Sequence, residues 1–267
     1  MKLLYSVTLA LGLALSLNNL ACEQPINVRI GVVPWTSADL SQVWAKELTA
    51  HLKKYCVHPQ FSSANNFKHF IEKAVGNQFD MIDVPPHIGS YLMKHHGFKA
   101  VSLEDWKADF LIISQVSDKV QTLADLKGET AILPDPLSLV SMISAPILKA
   151  QGIIIEHTSS NSDVLSKIMR GKYSTGAIIS PLLNSLTSIV SHKLSVIHTI
   201  KHESPGLLLS RDQFKPEHDK AILSALKEFD YGNKKLWQKW LPTTPERISD
   251  IHAHQQPYVK QLEALEY

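Results

Sequence analysis

The sequence predicts an α/β protein of two lobes, each a mostly parallel sheet flanked by helices, joined by two crossing strands. Three observations predict this. Strand-like and helix-like stretches alternate from residue 27 to residue 97, and the same rhythm restarts after about residue 120. Two segments, DFLIISQVSD (109–118) and SPGLLLSRDQF (204–214), both begin apolar and turn polar, and they bracket the second run. The chain is therefore expected to cross to a second lobe and return. This places lobe 1 at 22–113 and 204–267 and lobe 2 at 114–203.

The elements follow in order. NVRIGVV (27–33) has the β-branched run of a buried strand. Pro34-Trp35-Thr36-Ser37 makes a turn, and LSQVWAKELTAHLKKY (40–55) repeats apolar residues at three- and four-residue steps, as a helix does. HPQFSSA (58–64) reads as a strand, NFKHFIEKAVGNQ (66–78) as a helix and FDMIDV (79–84) as a strand. Pro85-Pro86 then opens the helix HIGSYLMKHHG (87–97). Strands alternating with helices predict parallel pairing with right-handed connections. In the second lobe, strands are expected within 125–136 and at 153–157 and 174–180, with helices at 141–152 and 162–172. The C-terminal part is expected to be helical at 220–229, 234–241 and 257–265, packed back on lobe 1.

The first residues stand apart from this pattern. Met1-Lys2 and the apolar run LLYSVTLALGLALSL (3–17) have the form of an export signal, expected to occupy 1–21. The run is short for a membrane span. Cys22 follows Leu20-Ala21, which resembles a bacterial lipobox, although Asn19 stands where that motif usually has leucine. The alternative pairs Cys22 with Cys56, since the two lie at the same end of the first strand–helix unit. A disulfide suits an oxidising compartment. The expected location is the periplasm, either soluble or lipid-anchored through Cys22.

Composition narrows the function further. A net charge of +2 with 19% charged residues and no basic stripe argues against nucleic acid as a partner. The 13 histidines include His95-His96 and His252-x-His254, but none has metal-ligand spacing, so no metal and no cofactor are expected. No nucleophile elbow, zinc-protease motif or phosphate loop is present. Asp80 and Asp83, three residues apart on a strand, fall on opposite faces and do not form a catalytic pair. An enzyme is not expected.

In open α/β sheets, ligands sit beyond the carboxyl ends of the strands. That edge carries Trp35, Thr36 and Ser37 after the first strand, Phe67 after the second, and His87 after the third. In the second lobe it carries ILPDPLSLVS (132–141). A helix starting near Ser138 leaves its first N–H groups unpaired and its positive end exposed, which suits an oxyanion, with hydroxyls offered by Ser138 and Ser141. The alternative is that Asp135 or Ser138 is only an N-cap.

Three stretches, VRIGVVPW, NNFKHFIEKAVGNQFDMIDVPP and FLIISQVSDKVQTLADLKGETAILPDPLS, resemble the solute-binding proteins of phosphonate, phosphite and phosphate-type ABC transporters. The landmarks are Gly-Val-Val-Pro, the Gly-x-x-x-Asp step ending at Asp80, and Asp-Leu-Lys-Gly at 125–128. The resemblance implies a type II periplasmic-binding-protein fold, no catalysis, and a monomer that presents a small ligand to a membrane permease. It implies an aromatic wall at Phe67, an anion seat at Ser138, and ligand contacts near Lys107, where an aromatic is usual. It also implies contacts at Asn161, where a histidine is usual, and at Glu203-Ser204, giving Ser204. Leu139 and Val140 stand where the family has hydroxyls. The expected function is that of an exported solute-binding component taking a small, phosphonate- or phosphate-like ligand in the inter-lobe cleft. A second expectation is a periplasmic sensor that uses the same cleft to signal to a membrane partner.

Overall fold

The computed structural model describes residue 22 and residues 24–35, 38–104, 108–202, 205–230 and 240–265. In chain order the first lobe begins with β1 (Ile26–Val32), α1 (Ala38–Lys53), β2 (Val57–Ser62), α2 (Phe67–Val75), β3 (Met81–Val84), α3 (Pro86–His95) and β4 (Phe98–Glu104). The second lobe holds β5 (Phe110–Gln115), β6 (Thr130–Leu133), α4 (Leu139–Ala150), β7 (Ile154–His157), α5 (Asn161–Met169) and β8 (Thr175–Ile179), then α6 (Ser180–Ser185), α7 (Ser188–Ser191) and β9 (Leu194–Ile200). The chain returns with β10 (Leu207–Arg211), α8 (Pro216–Lys227), β11 (Trp240–Leu241) and α9 (Pro245–Glu263).

Two sheets result, ordered β11-β4-β10-β3-β1-β2 and β7-β6-β8-β5-β9. The expected βαβ units give the parallel pairs: β1 with β2 and β3, and β6 with β7 and β8. Both sheets are nevertheless mixed, because β5 runs antiparallel to β8 and β9, and β10 antiparallel to β3 and β4. A strand that enters directly from the other lobe has no crossover helix to turn it parallel.

β5 pairs in the second sheet from Phe110 to Gln115. The chain changes sheet between Glu104 and Phe110, and again between Ile200 and Leu207. Two strands, β4 and β9, were not expected; most of their residues are polar or not fully buried, which weakens the periodicity. The helix expected over 234–241 is corrected at its end. Trp240 and Leu241 form an edge strand on β4, with Trp240 buried, while 234–239 lie outside the described residues. The last helix starts earlier than expected, at Pro245, capped by Thr244 Oγ1 accepting from Arg247 N, and carries Pro257 inside it.

Apolar side chains fill both faces of the first sheet. Val28, Ile30, Trp44, Leu48, Leu52 and Ile222 pack the α1/α8 side, and Phe67, Phe70, Phe79, Ile88, Leu92 and Val259 pack the α2/α3/α9 side. The Phe70 and Phe79 rings stack at 5.3 Å. A disulfide joins Cys22, just before β1, to Cys56, just before β2. That bond uses the Cys22 sulfur to which a thioether lipid would attach. Among the described residues no helix is long and apolar enough to cross a membrane.

Candidate functional site

The carboxyl ends of β1 and β3 meet the start of the second lobe around a cavity of about 100 Å³. Four helices begin on its wall: α2 at Phe67, α3 at Pro86, α4 at Leu139 and α5 at Asn161. The N-terminal end of a helix carries partial positive charge, which favours negative charge beside it. The rest of the wall is largely apolar, including Val33, Trp35, Ala108, Phe110 and Ile179.

The start of α4 is the most informative wall. Ser138 is its N-cap, with Oγ accepting from Ser141 N at 3.2 Å, while Ser141 Oγ donates to Pro134 O at 2.9 Å. Both hydroxyl groups thus hold the turn in shape, and Ser138 also faces the cavity. The next two residues, Leu139 and Val140, lie on the wall, and neither backbone N–H donates to another described residue. The hydroxyls missing from these positions do not remove the amides, which point out of a helix N-terminus by construction.

Several hydrogen bonds cross between the lobes. Trp35 O accepts from Asn161 Nδ2 at 3.0 Å and from Asn161 N at 3.3 Å. Asn161 Oδ1 accepts from Ile179 N at 3.2 Å, so this side chain is a strut on the cavity wall. Phe67 N donates to Asp135 Oδ2 at 3.0 Å, while Asp135 Oδ1 accepts from Leu137 N at 2.8 Å. Asp135 therefore closes its own turn and caps α2 of the opposite lobe. His87 Nε2 donates to Leu137 O at 2.8 Å. These bonds hold the lobes together around the cavity.

The expected site residues thus divide into groups. Trp35, Phe67, Ser138 and Asn161 line one cavity. Ser141 and His87 are fully buried behind its wall, as turn support and inter-lobe strut. Thr36, Ser37, Lys107 and Ser204 lie outside the described residues.

Sequence reasoning missed the acids. Asp83, at the carboxyl end of β3, and Glu104, at the end of β4, both line the cavity, and His202 joins them with its ring stacked on Phe110 at 4.9 Å. Gly206 has no side chain because the Glu104 carboxylate lies where a Cβ would be. Burial pushes the Asp83 carboxyl up to about 7. Burial, aided by the neighbouring His202, pulls His87 down to about 4, although the bond to Leu137 O opposes this. Burial also raises Asp135, against the two amides and His157 that favour its charge. All three shifts have one leading cause, burial in a poorly polarisable surrounding. Asp80, by contrast, sits ahead of β3 and pairs with Arg29 at 2.6 Å. The signal for Asp83 was its place: an acid at the carboxyl end of an otherwise apolar strand, directly before Pro-Pro.

A two-lobed α/β molecule with four helix N-termini around an inter-lobe cavity has the design of a solute-binding protein. The chain belongs to the family of periplasmic substrate-binding proteins of phosphonate ABC transporters, whose model matches residues 30–252. Solved structures share the fold. PhnD1 from Prochlorococcus marinus (MIT 9301), in complex with methylphosphonate, has a TM-score of 0.74 at 11% identity, over 90% of this chain and 99% of that one. A binding protein component of an ABC phosphonate transporter from Pseudomonas aeruginosa has a TM-score of 0.69 at 12% identity, over 88% of both chains. XAC2383 from Xanthomonas citri, bound to chloride ion, has a TM-score of 0.63 at 11% identity, over 88% of this chain and 99% of that one. No curated protein matches the chain by sequence.

Proposed function

We propose that the chain binds a small phosphonate-type oxyanion in the inter-lobe cavity and delivers it, as a monomer, to a membrane permease without transforming it. The observation that carries this reading is the pair of amides of Leu139 and Val140 at the start of α4, which donate to no other described residue and lie on the cavity wall. Ser138 and Trp35 line the same cavity, and Phe67 supplies an apolar wall for the organic substituent. The size of the cavity limits the ligand. Drug-sized ligands need roughly 300–1,000 Å³, whereas about 100 Å³ suits a compact tetrahedral anion with a short substituent. We place the lobe limits where the chain changes sheet, near residues 109 and 201.

A thermal-shift panel tests this reading. Methylphosphonate, phosphite and phosphate are compared with nucleotides and neutral amides. At a hundred times its dissociation constant, a small oxyanion is expected to stabilise the protein by about 2.7 kcal/mol, and nucleotides not at all. The absence of a shift with every small oxyanion would end the proposal.

A further inference from the structure

Two of the hydrogen bonds between the lobes end on one turn of the second lobe, residues 134–138. Phe67 is the first residue of α2 in lobe 1, so its N–H has no acceptor within its own helix. The Asp135 carboxylate supplies that acceptor from lobe 2, with Oδ2 3.0 Å from Phe67 N. Its other oxygen, Oδ1, stays in lobe 2 and accepts from Leu137 N at 2.8 Å. Two residues on, Leu137 O accepts from His87 Nε2 of α3, again across the cleft, at 2.8 Å. Both side chains are out of water, Asp135 being 6% exposed and His87 0%. Apolar packing follows the same line: Met142 of α4 lies in the lobe 1 core cluster with Phe67 and Phe70, and Leu137 packs against that cluster.

We propose, building on the function above, that Asp135 is a latch: its carboxylate is a built-in anion, with one oxygen bonded in each lobe, that holds the cleft closed before a ligand arrives as well as after. Asp135 is not among the residues that line the cavity, so it is a positioning residue and not a ligand contact. It acts through its own turn, which leads directly into Ser138 and the Leu139 and Val140 amides of the anion seat. Gripping this turn from α2 and α3 sets the seat against the wall of lobe 1.

The consequence is kinetic. A bond made equally in the free and the bound closed protein cancels in the affinity, because it does not distinguish the two. It adds to the barrier crossed each time the cleft opens, so it slows ligand entry and ligand release by the same factor. A hydrogen bond to a charged group is strong enough for a factor of about ten or more.

Asp135→Asn isolates the inter-lobe bond. The amide oxygen still accepts from Leu137 N and keeps the turn, whereas the amide nitrogen meets the Phe67 N–H and has no lone pair to offer it. Stopped-flow tryptophan fluorescence follows methylphosphonate binding, with Trp35 on the cavity wall as a reporter. Association and dissociation are both expected to be about tenfold faster in Asp135→Asn than in the wild type, with affinity nearly unchanged. Small-angle scattering of the wild type is expected to give the same radius of gyration with and without saturating methylphosphonate. If Asp135→Asn does not fold, Asp135→Ser, whose hydroxyl accepts from Leu137 N but is too short to span the lobes, is read the same way. Faster release with unchanged association would mean that the bond forms only around the ligand, and overturns the inference. So would unchanged rates, or a wild type that contracts when methylphosphonate is added; all three leave the binding function intact. If the wild type does not bind methylphosphonate, phosphite or phosphate, the proposed function fails, and this inference with it.

Discussion

Asp83→Asn is expected to stabilise the ligand-free protein at pH 8 by about 4 kcal/mol. The folded protein holds the Asp83 proton up to about pH 7, whereas the unfolded chain releases it near 3.8. Between these values the folded state binds the extra proton, so stability falls as pH rises, by about 1.4 kcal/mol per unit, and is level above pH 7. Asparagine keeps the shape and removes this loss. His87 acts in the opposite sense. Its folded value near 4 lies below the ordinary 6.5, so the unfolded chain takes up the proton first and stability falls as pH drops through that range. From about pH 4 to 6.5 the two slopes cancel in the wild type. Urea unfolding at several pH values checks both statements. As pH falls from about 6.5 to about 4, Asp83→Asn should lose about 1.4 kcal/mol per unit more than the wild type does. Equal stabilities of the two proteins at pH 8 would show that Asp83 is not desolvated.

Removing the disulfide is the second large effect. Cys22 and Cys56 are separated by 34 residues, and releasing a loop of that size restores about 3–4 kcal/mol of chain entropy to the unfolded state. The link matters locally, because it ties the start of β1 to the start of β2, next to the backbone bond from Ile26 N to Cys56 O at 2.8 Å. Cys56→Ser is expected to lower the unfolding free energy by that amount, and reductant should do the same to the wild type but not to the variant. Unfolding midpoints that do not respond to reductant would contradict this.

Much of the fold was legible from periodicity. β1, α2, β3, α4, α5 and β8 announce themselves by apolar spacing, and α4 also by its cap Ser138. The two returning segments, 109–118 and 204–214, revealed two lobes. Their antiparallel entry was not legible, because direction in a sheet depends on where the chain arrives from, which local pattern does not encode. The same holds for β11, a two-residue strand fixed only by its neighbour β4.

Of the candidate site, Trp35, Phe67 and Ser138, read from their places at strand or helix ends, line one cavity with Asn161, which the family resemblance had named. His87 and Asp135 became inter-lobe struts, since their partners come from the opposite lobe, distant in sequence. Asp83 was set aside as half of an unlikely catalytic pair. Its place on the wall of a cavity depends on the second lobe, which the local pattern around β3 does not encode.

The central claim is that a small oxyanion binds inside the inter-lobe cavity. It is tested most directly by calorimetric titration of methylphosphonate into the wild type and into Ala108→Trp. Ala108 lines the cavity and is only half-buried, so the larger ring can enter the cavity of about 100 Å³ and fill it. Saturable binding to the wild type, abolished in a variant that keeps the native circular-dichroism spectrum, is the predicted result. Wild-type affinity in Ala108→Trp would place the ligand elsewhere and contradict the account.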